Sequence, residues 1–229
     1  FTTEQGTGQF LQRTSWDNDA QWVSFKASPR YGDHAHNGPG HFSIYENGWL
    51  VIDRNIQSHS GIEGADSLHN CIHFERMNSV QYYQNEQHSI FEQTEFTDEY
   101  SYLSVNSTPE YVIRHNNIVS KSARKFFYLP TVKSVILFDI AETKLPAQKK
   151  SFGINFNGNP DLSNNLAVTY ANEVTKVVHH PLYPIAREVF HDDVLVRIKN
   201  QQAIAKDYFV NLIYTQPKSE TTRRASTLS

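Results

Sequence analysis

An alternation of apolar and polar residues with a period of two is the feature that most limits how this chain can fold. Residues 21–27 (QWVSFKA) and 41–45 (HFSIY) alternate, and residues 49–52 (WLVI) form a short apolar run. A period of two is typical of a strand with one buried face. Glu46-Asn47-Gly48 separates the last two runs, and Asn-Gly accepts the positive φ of a tight hairpin turn. The pattern predicts that strands 41–45 and 49–53 pair antiparallel.

Similar short runs follow along the rest of the chain, and none of them has the pattern of a long amphipathic helix. Prolines fall mostly between the runs, where a missing N–H removes no ladder hydrogen bond. The sequence also holds 12 Tyr and 14 Phe, which favour half-buried pleated surfaces. We therefore predict an all-β fold, a large antiparallel β-sandwich of the super-sandwich type with little helix. The further predicted strands are 81–84, 94–96, 100–105, 111–114, 124–129, 132–141, 150–156, 166–170, 174–179, 194–199 and 207–214.

The length of 229 residues suits one large sandwich, because all-β domains of this size commonly form a single unit. We expect one domain over residues 1–216 and a polar, flexible tail over residues 217–229. The chain begins with Phe1 and lacks the charged-then-apolar order of a signal peptide, which suggests a mature product or a fragment of a longer protein. Cys71 is the one cysteine, so disulfides give no information on the compartment.

The charge distribution limits the partners that the chain can bind. The formal net charge is -3 and no run of like charges occurs, so we expect no nucleic-acid partner. No apolar stretch approaches the roughly 20 residues that cross a bilayer, so we expect no membrane partner. An acidic polysaccharide stays open as a ligand, because a few Arg and Lys side chains focused in a cleft attract one locally.

Side chains that bind metals are concentrated between residues 34 and 69. His34 and His36 point to the same side of an extended chain. Asp53 ends the partner strand of the predicted hairpin, and His69 follows in a later loop. Two imidazoles and a carboxylate are a common zinc donor set, although imidazole also binds copper, nickel and iron. The segment therefore predicts a metal site, with zinc as the first choice. The other histidines lack this context and are interpreted as ordinary: His41, His59, His73, His115, His179, His180 and His191.

A cupin is an alternative interpretation, because its metal motif also begins with His-x-His on a strand. The glutamate expected a few residues later is missing, since positions 39 to 41 are Pro, Gly and His. No second motif with a matching histidine follows in a later strand. The sequence therefore favours another family over a cupin.

The segment resembles the C-terminal β-domain of the heparinase II/III-like polysaccharide lyases. That family carries a pattern close to His-x-His-x-Asp-x-Gly-x-Phe-x-Ile-Tyr-x-x-Gly, then Leu-x-x-Asp, then His-Asn. Residues 16–26, 124–130 and 135–139 resemble strands around this pattern, and the resemblance is weak beyond residue 140. The matching positions are His34-Ala-His36, Gly40-His-Phe42, Ile44-Tyr45, Gly48, Leu50-Val-Ile-Asp53 and His69-Asn70.

The resemblance implies roles for four residues. His36, Asp53 and His69 would ligate a zinc ion with a mainly structural role, tying two loops to the sheet. His34 would be a catalytic histidine beside the metal, acting as base or acid on a uronic acid ring. The implied activity is cleavage of a uronic-acid-containing polysaccharide by β-elimination, and the implied location is periplasmic or secreted.

In the family, an N-terminal helical toroid supplies the other catalytic groups, and no part of this sequence matches it. We therefore expect two partners, an acidic polysaccharide and a helical domain of the same protein or of a partner chain. We expect little or no activity from this chain alone.

Two positions depart from the family pattern. Gly38 stands where the family has Asp, and Asn55 stands where it has Gly. Asn accepts the left-handed conformation that Gly supplies. The missing Asp affects the catalytic role more than the metal site, because an Asp there could orient a histidine or contact substrate.

A non-catalytic, metal-stabilised module that binds carbohydrate or serves as a scaffold is the other class of function. Exposed aromatic rings such as Tyr31 or Trp49 could stack on sugars, although the core is an equally good place for both. An open groove lined by Arg, Tyr or Trp beside His34 would favour a sugar, and a covered His34 would favour a scaffold.

Overall fold

The computed structural model describes residues 8–27, 38–54, 68–75, 89–112, 118–164 and 167–222. Fifteen strands and one short helix occur in these ranges, which confirms the prediction of an all-β fold with little helix. No helix in the described ranges is long and apolar enough to span a membrane. In chain order the elements are β1 (Gln9–Arg13), β2 (Trp22–Lys26), β3 (His41–Tyr45), β4 (Trp49–Val51), β5 (Ile72–Phe74), β6 (Ile90–Phe96), β7 (Ser101–Asn106), α1 (Pro109–Val112), β8 (Val119–Leu129), β9 (Ser134–Thr143), β10 (Lys150–Asn155), β11 (Val168–Ala171), β12 (Thr175–Tyr183), β13 (Arg187–Asp192), β14 (Leu195–Asn200) and β15 (Lys206–Pro217).

The strands form three antiparallel sheets. Sheet A has the order β1-β2-β3-β4, sheet B has the order β13-β14-β10-β5, and sheet C has the order β11-β12-β15-β9-β8-β7-β6. The predicted hairpin is confirmed, since β3 pairs antiparallel with β4 through Ile44 opposite Val51. Its turn has positive φ at Asn47 (52°) and Gly48 (126°), as the Asn-Gly sequence predicts.

One hydrophobic core joins the three sheets. It contains Phe25 and Phe42 from sheet A, Phe152 from sheet B and Phe126 from sheet C. The ring of Phe126 lies 4.9 Å from that of Phe25 and 6.4 Å from that of Phe42, measured between centroids. Burying each such ring contributes about 1.5–3 kcal/mol. Sheets A and C therefore pack face to face, which is the arrangement of a sandwich.

A buried arginine on β8 fixes the place where the three sheets meet. Arg124 binds both carboxylate oxygens of Asp139 on β9, at 2.6 and 3.0 Å. Its Nη1 donates to the carbonyl oxygens of Gly40 (2.6 Å) and Asn70 (2.7 Å). A buried charge is tolerated only when it is paired and hydrogen-bonded, and this one is. Arg124 therefore holds the backbone just before β3 and just before β5 against sheet C.

Two predicted strands need correction. Tyr111 and Val112 belong to helix α1 and not to a strand at 111–114, because Pro109 has the φ that suits a first helical turn. The strand predicted at 132–141 begins at Ser134, because Pro130–Val132 form a 3₁₀ turn that ends on Lys133 at φ 49°. The strand predicted at 81–84 lies outside the described residues.

Candidate metal centre

Three side chains converge at the junction of sheets A and B, and we call them the histidine–aspartate cluster: His41, Asp53 and His69. One potential ligand atom of each lies within 4.8 Å of those of the other two. Asp53 Oδ1 is 3.0 Å from His69 Nδ1, and Asp53 Oδ2 is 3.8 Å from His41 Nε2. Among the described residues, no other three His, Cys, Asp or Glu side chains come this close together.

The strand pairing explains why residues so far apart in sequence meet here. His41 opens β3 and Asp53 follows the end of β4, so the hairpin sets them side by side at its open end. His69 lies shortly before β5, which pairs with β10. An isolated bridge between Val51 and Phe156 joins the end of β4 to the end of β10. The two sheet edges therefore bring the three side chains together.

Asn70, the residue after His69, ties these segments to one another. Its Nδ2 donates to the carbonyl oxygens of Phe42 (2.7 Å) and Ile52 (2.9 Å). Its Oδ1 accepts from the backbone N–H and the side-chain Nδ2 of Asn155, at 2.7 and 2.9 Å. Both donors and both lone pairs of the buried amide are therefore used. Asn70 positions the cluster without belonging to it.

The hydrogen bonds of His41 define which of its nitrogens carries the proton. The backbone N–H of Asn70 donates to His41 Nδ1 at 3.1 Å, so Nδ1 is an acceptor and carries no proton. Burial lowers the pKa of His41 to about 3, and the Asp53 carboxylate only partly opposes this. The ring is therefore neutral near pH 7 and carries its proton on Nε2. That nitrogen lies 3.1 Å from Ser43 Oγ.

This tautomer disfavours His41 as a metal ligand. A metal ion would need a lone pair on Nε2, and the proton would then move to Nδ1, against the N–H of Asn70. The arrangement instead makes Nε2 a hydrogen-bond donor that faces Ser43 and Asp53.

Asp53 and His69 fit a metal ion by distance and by exposure. Two ligand atoms that each lie about 2.0–2.1 Å from a tetrahedral zinc ion are roughly 3.3 Å apart, and the Asp53–His69 pair is at 3.0 Å. His69 is buried, but the Asp53 side chain is 26% exposed, so solvent reaches the carboxylate. Oxygen and imidazole nitrogen donors suit zinc.

Of the four predicted site residues, the structure brings Asp53 and His69 together. His34 and His36 lie outside the described residues, and their roles stay predictions. Gly38 has a steric reason to lack a side chain, since a Cβ there would lie 3.1 Å from His69 Cγ and 3.3 Å from His41 Cβ. The interpretation of the sequence passed over His41, although alternation puts it on the outer face of β3, at the strand end nearest Asp53.

Solved structures share the fold of this chain. It is similar to a heparinase III with methylated lysines, with a TM-score of 0.77 and 16% identity over 96% of this chain. It is also similar to the heparan sulfate lyase HepC from Pedobacter heparinus, with a TM-score of 0.78 and 15% identity over 95% of this chain. The match spans about 35% and 36% of those chains. No protein-family model and no curated protein matches the sequence. The resemblance to heparinases is thus confirmed at the level of the fold.

Proposed function

We propose that this chain is the β-sandwich part of a polysaccharide lyase that cleaves a uronic-acid-containing polysaccharide by β-elimination. The observation that carries the proposal is the match of nearly the whole chain to heparinase III and to HepC, with TM-scores of 0.77 and 0.78. Because HepC is a heparan sulfate lyase, the proposed substrate class is a glycosaminoglycan such as heparan sulfate. The proposed location, periplasmic or secreted, rests on the same likeness.

The chain spans about a third of those lyases, so we propose that another domain completes the cleft. In β-elimination a base removes the C5 proton of the uronate, a double bond forms between C4 and C5, and the C4–O4 bond breaks. An acid protonates the leaving O4, and a further group neutralises the uronate carboxylate. We assign His34 to proton transfer, since an imidazole side chain can serve as a general base or acid. The other groups would come from the helical domain.

We also propose that Asp53, His69 and His36 hold a zinc ion. The support is the short Asp53–His69 distance together with the tautomer of His41, which leaves the third position to another imidazole. When bound, the ion would cross-link the end of the β3–β4 hairpin to the segment before β5. Its role is structural in this proposal, and no catalytic step depends on it.

The lyase proposal is tested by the absorbance of the unsaturated product on uronate polymers. We expect weak turnover or none from the chain alone and clear turnover from a protein that also carries the helical domain. In that longer protein, His34→Ala should lower the rate at least about 100-fold, because general acid–base catalysis contributes roughly 10²–10⁴-fold. The matched control is His191→Ala on the exposed edge strand β13, which should leave the rate unchanged. Absence of unsaturated product from every uronate polymer would refute the proposal.

The metal proposal is tested by zinc titration and elemental analysis of the metal-free chain at pH 7. We expect one zinc per chain, and a loss of affinity of at least about 100-fold in Asp53→Asn and in His69→Gln, because each removes a ligand. His191→Gln serves again as the control. Wild-type affinity in either ligand variant would remove that residue from the site.

A further inference from the structure

All three tryptophans of the chain line one groove on the outer face of sheet A. Trp16, Trp22 and Trp49 border a groove of about 520 Å³. Trp16 is 87% exposed and Trp49 is 52% exposed, so neither is a core residue. The opposite face of the same sheet carries the buried Phe25 and Phe42. The groove is therefore an open aromatic surface on the side of sheet A that faces away from the core.

The rings of the groove are held in place by their neighbours. The guanidinium of Arg13 lies 4.4 Å from the ring centre of Trp16 and 4.1 Å from that of Trp22, so it is between the two rings. Tyr45 and Trp49 meet edge to face, with their ring centres 5.4 Å apart. These contacts order four aromatic side chains before any ligand arrives. Binding a ligand to ordered rings loses less side-chain freedom than binding to mobile ones.

The groove leads directly to the histidine–aspartate cluster. His41, Ser43 and Tyr45 alternate along β3 and so share the outer face. Ser43 lines the groove, and its Oγ lies 3.1 Å from His41 Nε2. The four residue-to-residue steps from His41 to Tyr45 span about 13 Å at the rise of a strand. Lys26, opposite His41 on β2, is exposed at the cluster end of the same face.

We propose that this groove binds the non-reacting part of an acidic oligosaccharide whose chain continues past the cluster; the proposal rests on the lyase function above. Trp16 and Trp49 stack on sugar rings, since their exposed faces are rigid and apolar. The small hydroxyl residues of the floor, Ser24 and Ser43, exchange hydrogen bonds with sugar hydroxyls. Lys26 attracts the carboxylate or sulfate groups. The combination of a hydroxyl floor, stacked rings and a cation at the cluster end selects a sugar over the apolar face of a protein domain.

Intrinsic fluorescence measures the binding directly, because every tryptophan of the chain lies in the groove. The chain is titrated with a heparan sulfate tetrasaccharide and, in parallel, with an uncharged tetrasaccharide. We expect a saturable change with the acidic sugar that weakens as salt is added, and a dissociation constant at least tenfold weaker for the uncharged sugar. No saturable change with the acidic tetrasaccharide would overturn the proposal and leave the groove to a protein domain.

Variants locate the binding. Trp49→Ala should weaken binding of the acidic tetrasaccharide about tenfold, because a lost stacking contact and its buried area correspond to a factor of that order. Lys26→Gln should weaken only the salt-dependent part. The matched control is Phe190→Ala, an exposed ring beside Lys199 on sheet B, which should bind as the wild type does. Equal losses in Trp49→Ala and Phe190→Ala would overturn the assignment to this groove. Circular dichroism of each variant confirms that it is folded.

The outcome is separable from that of the lyase assay. Binding without turnover in the longer protein that carries the helical domain would leave the groove standing and refute only the lyase. Turnover in the longer protein with unchanged kinetics in Trp49→Ala would refute only the groove.

Discussion

Two regions of the molecule bury neutral imidazoles, and they differ in what surrounds the ring. In the histidine–aspartate cluster, burial lowers the pKa of His41 to about 3. In sheet C, burial lowers the pKa of His179 to about 4. His179 Nε2 lies 2.8 Å from Asn211 Oδ1, across the pairing of β12 with β15. The cluster instead combines two imidazoles with a carboxylate that solvent reaches.

The comparison shows that a buried histidine is by itself no sign of a metal site. Burial lowers the pKa in both regions, because desolvation disfavours the charged ring. What distinguishes the cluster is the carboxylate, its partial exposure and the convergence of three segments on one point. His179 instead has the Asn211 amide as its partner, and both side chains are fully buried. The first region is partly open to solvent, and the second is enclosed.

The largest expected effect concerns the amides that support the two regions. Asn70 makes four side-chain hydrogen bonds between sheets A and B. Within the described ranges, the Asn211 side chain is hydrogen-bonded to His179 alone. Each buried group left without a partner costs about 1–3 kcal/mol. We expect Asn70→Ala to lower the free energy of unfolding by about 4 kcal/mol and Asn211→Ala by about 1–2 kcal/mol.

Denaturant unfolding of the two alanine variants in the presence of a chelator measures this difference without any contribution from bound metal. The two substitutions remove the same side-chain atoms from fully buried positions, so each is the control for the other. Equal losses would mean that the junction of sheets A and B depends on Asn70 no more than sheet C depends on Asn211.

An intermediate effect concerns how the buried His179 makes the stability of the protein depend on pH. The folded-state pKa of His179, about 4, lies below the ordinary 6.5, so the unfolded state takes up the proton first as the pH falls. The contribution of the neutral His179 ring to the free energy of unfolding is fully present above pH 6.5 and is lost as the pH falls towards 4. At pH 5 the loss is about 2 kcal/mol. His180 and Arg187 act in the same direction, and the hydrogen bond to Asn211 opposes them.

Replacing His179 by Gln should therefore make the loss of stability between pH 7 and pH 5 smaller by about 2 kcal/mol. His41 is present in both proteins, so the difference isolates His179. The free energy of unfolding is measured in denaturant at both pH values, with His191→Gln on the exposed β13 as the control. If the free energy of unfolding fell by the same amount between pH 7 and pH 5 in His179→Gln as in the wild type, His179 would not be the group that is protonated on unfolding.

The sequence predicted the elements whose pattern is local. Alternation located β3 with its observed bounds and predicted its pairing with β4, since one face is in the core and the turn is Asn-Gly. It missed β5, which has only three residues, and β13, which is almost wholly exposed and so has no buried face to reveal. It missed β1 as well. Strands without a clear inner and outer face leave no periodic signal.

The candidate site was likewise predictable only in part. Asp53 and His69 follow from their residue types and from the resemblance, whereas the position of His41 depends on how sheet A meets sheet B. The bonds of Asn70 to Asn155 and of Arg124 to Gly40 join segments 85 and 84 residues apart, and no local pattern encodes such contacts. The proton position on His41 follows from another such long-range contact, the hydrogen bond that the backbone N–H of Asn70 donates to His41 Nδ1.

The smallest expected effect separates a hydrogen-bonding neighbour from a ligand within the cluster. In His41→Asn, the new Oδ1 takes the place of Nδ1 and accepts the N–H of Asn70, while Nε2 is removed. If His41 only donates a hydrogen bond beside Asp53, zinc affinity should fall by no more than about tenfold, the lower range for residues that support a ligand. Competition with a chelator at pH 7 measures the affinity, and His69→Gln provides the scale for loss of a true ligand. A loss in His41→Asn as large as in His69→Gln would make His41 the third ligand in place of His36, and would move the site from the His34–His36 segment to the first residue of β3.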